Sequence, residues 1–289
     1  MQFVYQKTFI LNFWLNGDVE MKNVLIGSAI HDSKKYCIDD FVKCLDSIET
    51  NGEFEFDVFL SDNSLDSDFL YETLEKFNKT KIENVGVFKD AWCMNYLARV
   101  CTSHNALRRE AIIGGYDYLF ILDCDIIIPK DLISKFIKYD KDIVTGIYKL
   151  NKPELGNDIY SCAEKRPIIK DGFLYENWLT SKDLKQGLIK QKGIFGTGCC
   201  LIKKNVLDAV AFRWGLCFHD TYYYRDLAGC GFETYVDTDF DLIHNYSDWA
   251  IVGKKDFEIA KQKKIFGINI NEVIKEKDEL SKMAKVQFM

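Results

Sequence analysis

Two aspartates separated by one residue, Asp123 and Asp125, follow the apolar run Tyr118–Leu122. A short, continuous apolar run is typical of a strand buried on both faces of a parallel sheet. Open α/β sheets bind ligands beyond the carboxyl ends of their strands, so the pair would lie where a ligand binds. Carboxylate oxygens suit a divalent cation that neutralises a diphosphate. The spacing therefore predicts a metal and diphosphate site, with an ordinary polar strand end as the alternative.

The Asp-x-Asp pattern is not specific by itself, because it occurs five times in the chain. Asp140 and Asp142 lie among lysines, which is typical of a solvated loop. Asp66 and Asp68 precede apolar residues at helical spacing and predict the start of a helix. Only the pair after Leu122 ends a fully apolar run, so this pair is the candidate site.

The composition is that of an ordinary globular protein. The chain has 289 residues, of which 47% are hydrophobic and 28% are charged, enough for one large or two small α/β domains. A net charge of −6 argues against a nonspecific nucleic-acid binder, which needs a basic face. It does not exclude a nucleotide ligand, because metal ions can neutralise phosphates.

The ten cysteines are scattered and form no Cys-x-x-Cys pair, which favours reduced, mostly buried thiols in a cytoplasmic protein. No signal peptide is visible. The apolar residues between Val4 and Leu15 are too few and too interrupted to span a membrane. Membrane contact is therefore expected to be peripheral at most.

Strands and helices are predicted to alternate from Asn23 onwards. Apolar runs predict strands within 24–29, 54–60, 85–88, 118–122, 143–148, 199–202 and 232–236, with a late strand end at 241–244. Residues spaced by three and four predict helices over 38–48, 69–77 and 91–113, and further helices begin near Asn205 and Thr221. The stretch 151–192 is mixed and charged, and we expect it to be irregular. Such alternation predicts a mostly parallel, Rossmann-like α/β sheet flanked by helices.

Several short motifs follow one another in a definite order. They are Asp62-Asn63-Ser64 after the second strand, Asp123/Asp125 after the fourth, Gly196-Thr197-Gly198 before an apolar strand, His219-Asp220 before a helix, and the late His244. In this order, the chain from about Asn23 to His244 resembles GT-A fold nucleotide-sugar glycosyltransferases, close to the family 2 type. The resemblance implies a GT-A sheet with an acceptor-side subregion.

The resemblance also implies a division of the chain. Residues 21–150 would be the half that binds the nucleotide-sugar, and residues 1–20, which precede the first predicted strand, are expected to be an appendage. Residues 151–250 would be the acceptor-binding and catalytic half of the same domain, with a lid within 151–192. Residues 251–289 would be a helical tail.

A metal site is implied by the same resemblance. Asp125 would be a direct ligand, Asp123 would lie nearer the donor ribose or act through water, and His244 would be a second ligand. An imidazole ligand favours Mn²⁺ somewhat over Mg²⁺. Without the resemblance, His244 would be interpreted as a core or rim histidine that bonds to the backbone.

The implied donor-binding residues are Ser28, Ala29, His31, Asp62, Asn105, Arg108, Cys124 and the two aspartates beside Cys124. Asp62 could accept a hydrogen bond from a uracil N–H, although its surroundings are equally a good turn sequence. His104-Asn105 aligns with an Arg-Asn of the family, so an expected cation is replaced. Arg108 or Arg109 could restore a contact with the diphosphate.

Asp220 is the candidate catalytic base, since inversion needs a carboxylate within reach of the attacking hydroxyl. The family carries an acidic residue before this aspartate, whereas this chain has His219, whose role is open. An alternative for Asp220 is a cap of the following helix. Gly196, Thr197, Gly198 and His219 are the candidate acceptor-binding residues, because glycines let a backbone approach a sugar closely.

The sequence thus predicts a metal-dependent hexosyltransferase that uses a UDP-sugar and inverts the anomeric centre. The acceptor would be a glycan, a lipid-linked glycan or a protein. A retaining transferase fits the same motifs, and a non-catalytic carbohydrate-binding descendant is the alternative outside enzymes. A sugar nucleotidyltransferase would need a glycine-rich Arg/Lys loop where His31-Asp32-Ser33 stands. A two-metal nuclease would need more clustered carboxylates.

Overall fold

The computed structural model of the chain describes residues 21–65, 67–90, 95–150, 158–170, 173–191, 193–215 and 219–245. Its strands are β1 (Lys22–Ile30), β2 (Phe54–Asp62), β3 (Val85–Lys89), β4 (Tyr118–Leu122), β5 (Ile126–Ile127), β6 (Ile143–Tyr148), β7 (Ala163–Lys170), β8 (Phe173–Trp178), β9 (Leu188–Lys190), β10 (Cys199–Lys203) and β11 (Thr234–His244). Its helices are α1 (Ile38–Asp46), α2 (Asp68–Phe77), α3 (Tyr96–Ile113), α4 (Leu132–Lys138), α5 (Lys204–Ala209) and α6 (His219–Gly229). A 3-10 turn, Asp32–Lys34, follows β1.

Most strands form one sheet in the order β3-β2-β1-β4-β10-β6-β11-β5, with β9 paired to β11. Strands β3, β2, β1 and β4 run parallel to one another. Strand β10 is antiparallel to both of its neighbours, and β11 runs parallel to β6. The predicted alternation and the mostly parallel sheet are confirmed, with β10, β5 and β9 as antiparallel strands.

Helices cover both faces of the sheet, and β4 shows why its sequence is apolar throughout. All five of its residues are buried. Tyr118, Phe120 and Leu122 lie in one core with residues of α1, α2 and α4. Leu119 and Ile121 lie in the other core with residues of α3, α5 and α6. Because successive strand residues face opposite sides, a strand between two helical layers has no polar face.

Helix α3 is fixed at both ends by local chemistry. The side chain of Asn95 accepts a hydrogen bond of 3.2 Å from the amide of Ala98, which caps the first turn. Past the other end, Gly115 adopts a φ of 73°, in the left-handed region that favours glycine. The prediction began this helix at residue 91, and residues 91–94 lie outside the described ranges.

The expectation of an irregular stretch between residues 151 and 192 is wrong for much of it. Strands β7 and β8 form a two-stranded antiparallel sheet, and β9 joins the main sheet. The register of the hairpin shifts between Glu164 and Ile168, where Pro167 stands. Proline cannot donate to a strand ladder and is placed at such irregularities. Pro167 and the charged residues around it hide the strand pattern in the sequence.

Smaller differences concern element ends. Helix α5 begins at Lys204, one residue before the predicted Asn205. The two predicted late strands are one strand, β11, whose register on β6 shifts between Asp237 and Asp241. The predicted appendage and tail lie outside the described residues, and the division of the chain at residue 150 stays a prediction.

The described cysteines are all free thiols, and each is buried except Cys230. The burial agrees with the predicted mostly buried thiols, and their reduced state stays a prediction. The described part of the chain has no helix that is both long and apolar enough to cross a membrane.

Helix α2 provides a test of the two-layer packing. Phe77 is 2% exposed in the first core, whereas Tyr71 on the same helix is 64% exposed. We expect Phe77→Ala to lower the free energy of unfolding by about 3–5 kcal/mol, because it leaves a cavity. Tyr71→Ala, the matched control, should change it by less than about 0.5 kcal/mol. Urea unfolding of both variants measures the difference, and equal effects would contradict the described packing.

Candidate active site

The ends of parallel strands bring the predicted residues to one edge of the sheet. The last residue of β1, Ile30, pairs with Asp62, the last residue of β2. Strand β4 lies on the other side of β1 and ends just before Asp123. Strand β10 begins at this edge, because it is antiparallel to β4 and pairs Cys199 with Leu122. The loop of Gly196–Gly198 therefore stands next to the aspartate pair.

The end of β11 brings His244 to Asp125. The short strand β5 follows Asp125 and pairs antiparallel with β11, with Ile126 opposite His244. The amide of Asn245 also donates a 2.7 Å hydrogen bond to the carbonyl of Asp125. As a result, Nε2 of His244 lies 3.4 Å from Oδ2 of Asp125. The two residues predicted as metal ligands meet in space.

The orientation of His244 is set by Lys149. Nδ1 of the ring lies 2.9 Å from the Lys149 carbonyl oxygen, which can only accept, so Nδ1 carries the hydrogen. In the neutral ring, Nε2 then presents its lone pair toward Asp125. Burial opposes a charge on His244, but the hydrogen bond and the charge of Asp125 outweigh burial and raise its pKa. The ring can therefore act as a cationic partner of Asp125 or, once deprotonated, as a ligand.

Asp125 and His244 fit a divalent ion as a partial site. A carboxylate oxygen and an imidazole nitrogen are a donor set that suits Mn²⁺. Within the described ranges, no three His, Cys, Asp or Glu side chains are placed to hold an ion. Mg²⁺ and related ions commonly complete their coordination with water and phosphate oxygens. Here the remaining ligands would have to come from such groups.

A cation that was not predicted lies beside this pair: Lys34, which ends the 3-10 turn after β1. Its Nζ contacts Oδ2 of Asp125, and the two side chains are 9% and 2% exposed. Burial opposes the negative charge of Asp125, but the hydrogen bond from His244 and the charge of Lys34 outweigh burial and lower its pKa. Asp125 is therefore ionised. The sequence alone does not distinguish Lys34 from the adjacent Lys35, which is a surface residue and 64% exposed.

The glycines of the Gly196–Gly198 loop make room for protein groups. A Cβ on Gly198 would lie 2.5 Å from Oδ2 of Asp123 and 2.7 Å from the Tyr148 hydroxyl. A Cβ on Gly196 would lie 2.5 Å from the same hydroxyl. These glycines were predicted to let a sugar approach the backbone. The described structure gives them a second reason, close packing against Tyr148 and Asp123.

Asp123 differs from Asp125 in its electrostatics. Its amide donates a 2.7 Å hydrogen bond to the Gly198 carbonyl, which ties it to the glycine loop. Burial, and then the charge of Asp125, raise the pKa of Asp123 to about 6. The two carboxylates are therefore inequivalent, and Asp125 carries the more stable negative charge.

Tyr148, at the end of β6, was also missed, although it ends a predicted strand at the same edge. It is 6% exposed, and its ring packs edge-on against His244 with centroids 5.0 Å apart. Burial, and then the charges of Asp123, Asp220 and Asp125, raise the pKa of its hydroxyl. Asp220 is therefore close enough to the Tyr148 hydroxyl for its charge to affect the pKa of that hydroxyl.

Asp220 lies in the first turn of α6, where its Oδ1 accepts a 2.7 Å hydrogen bond from the amide of Thr221. The capping alternative is not realised in the predicted form, because the helix begins at His219 and the bond of Asp220 goes to the next amide rather than to one two or three residues further on. The preceding residue, His219, is buried, and its Nε2 lies 3.0 Å from Oγ1 of Thr197. This contact joins α6 to the glycine loop. The roles of Asp220 as base and of His219 and Thr197 in acceptor binding stay predictions.

A buried histidine pair lies beside this contact. The rings of His104 and His219 meet edge-on, with centroids 4.6 Å apart. Neither ring nitrogen of His104 has a hydrogen-bond partner among the described residues. Burial, and then the charge of His219, hold the pKa of His104 well below its usual value, and burial lowers that of His219 to about 4. Both rings are neutral at pH 7, so His104 does not replace the positive charge expected at its position.

Asp62 is fully buried and bonded within the protein. Its Oδ1 accepts from the amide of Ser64 at 2.9 Å, as in an Asx turn, and its Oδ2 accepts from Nζ of Lys89 at 2.7 Å. The turn alternative is therefore realised. Its contact with a donor base stays a prediction, and its neighbour Lys89 was not predicted.

The other predicted donor residues stand at or near the same edge. Ser28 is fully buried and Ala29 partly exposed, both within β1. Nδ1 of His31 accepts a 3.2 Å hydrogen bond from the amide of Ser33, which caps the 3-10 turn. The Cys124 side chain lies in the first core, so its backbone is the part of this residue left for a donor contact.

Asn105 and Arg108 bond to the segment around α5. Nδ2 of Asn105 donates to the Phe212 carbonyl at 2.8 Å, and the Phe212 amide donates back to Oδ1 at 3.0 Å. Nε of Arg108 donates to the Leu207 carbonyl at 2.6 Å. Both side chains thus have structural partners, and their contact with a donor stays a prediction.

Comparison with known proteins identifies the fold. The chain has the GT-A type α/β fold, as predicted. It is similar to the mannosyltransferase PcManGT from Pyrobaculum calidifontis, solved in complex with GDP-Man and Mn²⁺, with a TM-score of 0.53, 11% identity, and coverage of 84% of this chain and 65% of that one. At this identity the likeness shows the fold alone.

Two further structures have lower TM-scores. TarS 1–349 of S. aureus has a TM-score of 0.48 at 14% identity, covering 77% of this chain and 59% of that one. A197 from STIV has a TM-score of 0.44 at 15% identity, covering 79% of this chain and 87% of that one. The chain thus spans less than two thirds of TarS 1–349 and of the mannosyltransferase. No protein-family model and no curated protein matches the chain.

The packing at Gly198 can be tested by adding one methyl group. We expect Gly198→Ala to lower the free energy of unfolding by about 1–3 kcal/mol, because Asp123 and Tyr148 must move. Gly229→Ala is the control, since a Cβ there meets no atom within 4 Å and the residue ends a helix. Urea unfolding compares the two variants. An unchanged stability of Gly198→Ala would contradict the close packing.

The buried histidine pair predicts a loss of stability in mild acid. His104 has a lowered pKa when folded, so below about pH 6.5 the unfolded chain binds a proton that the folded chain does not. Stability should fall as the pH drops from 7 to 5, by up to about 1.4 kcal/mol per pH unit from His104. The measurement is urea unfolding at several pH values beside His104→Gln. Equal slopes in both proteins would contradict the prediction.

Proposed function

We propose that the chain is a metal-dependent glycosyltransferase that moves a sugar from a nucleotide-sugar to an acceptor hydroxyl. The observation that carries the proposal is the meeting of Asp125 and His244, with 3.4 Å between Oδ2 and Nε2, at the strand edge that also holds Asp123. The charge of Asp220, in the first turn of α6, acts on the Tyr148 hydroxyl beside this pair. Oxygen and nitrogen ligands beside two carboxylates suit a cation that carries a diphosphate. The mannosyltransferase of similar fold was solved with GDP-Man and Mn²⁺, which supports the same class of donor.

Each residue has a part in this proposal. Asp125 and His244 would hold Mn²⁺ or Mg²⁺, which when bound stabilises the negative charge of the leaving diphosphate. Asp123 would bind the donor ribose directly or through water. Asp220 would take the proton of the acceptor hydroxyl, while Thr197, His219 and the two glycines would contact the acceptor.

The donor base is proposed to be uracil, on the strength of Asp62 at the end of β2. The hydrogen bonds of Asp62 to Ser64 and Lys89 leave less of its carboxylate for a base, so a GDP-sugar is the specific alternative. The mannosyltransferase of similar fold was solved with GDP-Man, which favours the same alternative. The cytoplasmic location and the acceptor class are expectations from the sequence.

Donor turnover tests the proposal. We expect one sugar nucleotide among UDP-, GDP-, CMP- and dTDP-sugars to be hydrolysed with Mn²⁺ or Mg²⁺ and not with EDTA. Asp125→Asn and Asp220→Asn should each reduce turnover at least about 100-fold, because they remove a ligand and a base. Asp140→Asn is the matched control, since Asp140 belongs to another Asp-x-Asp and its side chain is 82% exposed.

The outcomes separate the alternatives. Turnover that survives EDTA and Asp125→Asn would refute the metal-dependent proposal. Sugar binding with no metal-dependent nucleotide binding would favour the carbohydrate-binding descendant. NMR of the product anomer distinguishes inversion, which we expect, from retention.

A further inference from the structure

Lys34 is buried against the one carboxylate that the proposed metal needs. Its backbone is fixed, because its amide donates to the His31 carbonyl at 2.8 Å and its carbonyl accepts from the Cys37 amide at 3.1 Å. Its side chain reaches across to Asp125 and is 9% exposed. An ammonium in such a place is costly unless an anion compensates it. The structure therefore holds a protein cation where a metal ion would be bound.

Lys34 and the metal would use the same atom. The Lys34 ammonium contacts Oδ2 of Asp125, and this oxygen is also the one that lies 3.4 Å from Nε2 of His244. An ion coordinated by Oδ2 and Nε2 would be bound close to the ammonium. Two cations at such a distance in a buried site repel each other strongly. Metal and ammonium therefore compete for Asp125.

A diphosphate would end this competition. Without a ligand, the charge of Lys34 balances that of Asp125, and a divalent ion alone would leave excess positive charge in the site. A nucleoside diphosphate brings negative charge and several acceptor oxygens, which suit both a metal ion and an ammonium. A lysine is suited to such an exchange, because it is a point charge on a flexible stem.

We infer that Lys34 is a binding residue for the donor diphosphate that occupies Asp125 when the site is empty and moves to the phosphates when metal and nucleotide bind. The inference rests on the proposed function and adds one property to it. Metal ion and nucleoside diphosphate bind cooperatively, because the diphosphate balances the excess positive charge that a metal ion alone would leave in the site. By linkage, each ligand strengthens the binding of the other by the same factor.

The experiment measures Mn²⁺ binding to the full chain, from the EPR signal of free Mn²⁺, alone and with saturating UDP or GDP. In the wild type we expect weak binding of Mn²⁺ alone and a gain of at least about 10-fold with the matching nucleotide. In Lys34→Met we expect Mn²⁺ alone to bind at least about 10-fold more tightly, and the gain from nucleotide to shrink to less than about 3-fold. Calorimetry in EDTA measures nucleotide binding without metal. We expect Lys34→Met to bind the nucleotide at least about 10-fold more weakly than the wild type under these conditions.

Two further variants control for structure and charge. Lys35→Met alters the neighbouring lysine, which is 64% exposed and pairs with Glu72. It should leave unchanged the Mn²⁺ affinity without nucleotide, the gain from nucleotide and the nucleotide affinity in EDTA. Lys34→Arg keeps the positive charge and should keep the cooperativity. Lys34→Gln replaces Lys34→Met if the latter fails to unfold cooperatively in urea.

The outcomes are distinguishable from failure of the proposed function. If the wild type binds neither Mn²⁺ nor any nucleoside diphosphate, the proposed function and this inference both fail. If Mn²⁺ binds the wild type as tightly without nucleotide as with it, the inference alone is overturned, whatever the variants show. The same holds if Lys34→Met matches the wild type in all three values.

Discussion

The buried carboxylate of Asp125 is the constraint on which the site depends. A charge that is 2% exposed must be compensated by groups that the fold brings to it. Lys34 comes from the turn after the first strand, and His244 from the end of the last described strand. The carbonyl of Asp125 is bonded to the amide of Asn245 as well. Distant parts of the described chain are thus tied together at one residue.

Much of the fold could be predicted because its signals are local. The apolar run of β4 is dictated by helices on both faces, and the cap and glycine of α3 lie beside its ends. The hairpin of β7 and β8 could not be predicted in the same way. Charged residues and Pro167 interrupt its pattern, and its register is irregular at that point.

Residues of the candidate site could be predicted where they follow or end a predicted strand. Asp123, Asp125 and Asp62 stand at such positions, and the late His244 came from the resemblance. Lys34 and Tyr148 were missed for different reasons. Tyr148 ends a predicted strand and could have been found by the same rule, whereas only the folded structure distinguishes the buried Lys34 from the exposed Lys35 beside it. The bonds of Asn105 and Arg108 to the segment around α5 are equally a matter of tertiary contact.

The pairing of β5 with β11 has a consequence for the order in which the protein matures. Strands β1 to β4 are adjacent in the chain and can associate as soon as they are synthesised, but β11 is made much later. Until it pairs with β5, Asp125 lacks His244 and the amide of Asn245. A chain that ends before β11 would therefore contain strands β1 to β4 and the aspartate pair, but Asp125 would lack the two groups that β11 and Asn245 bring to it.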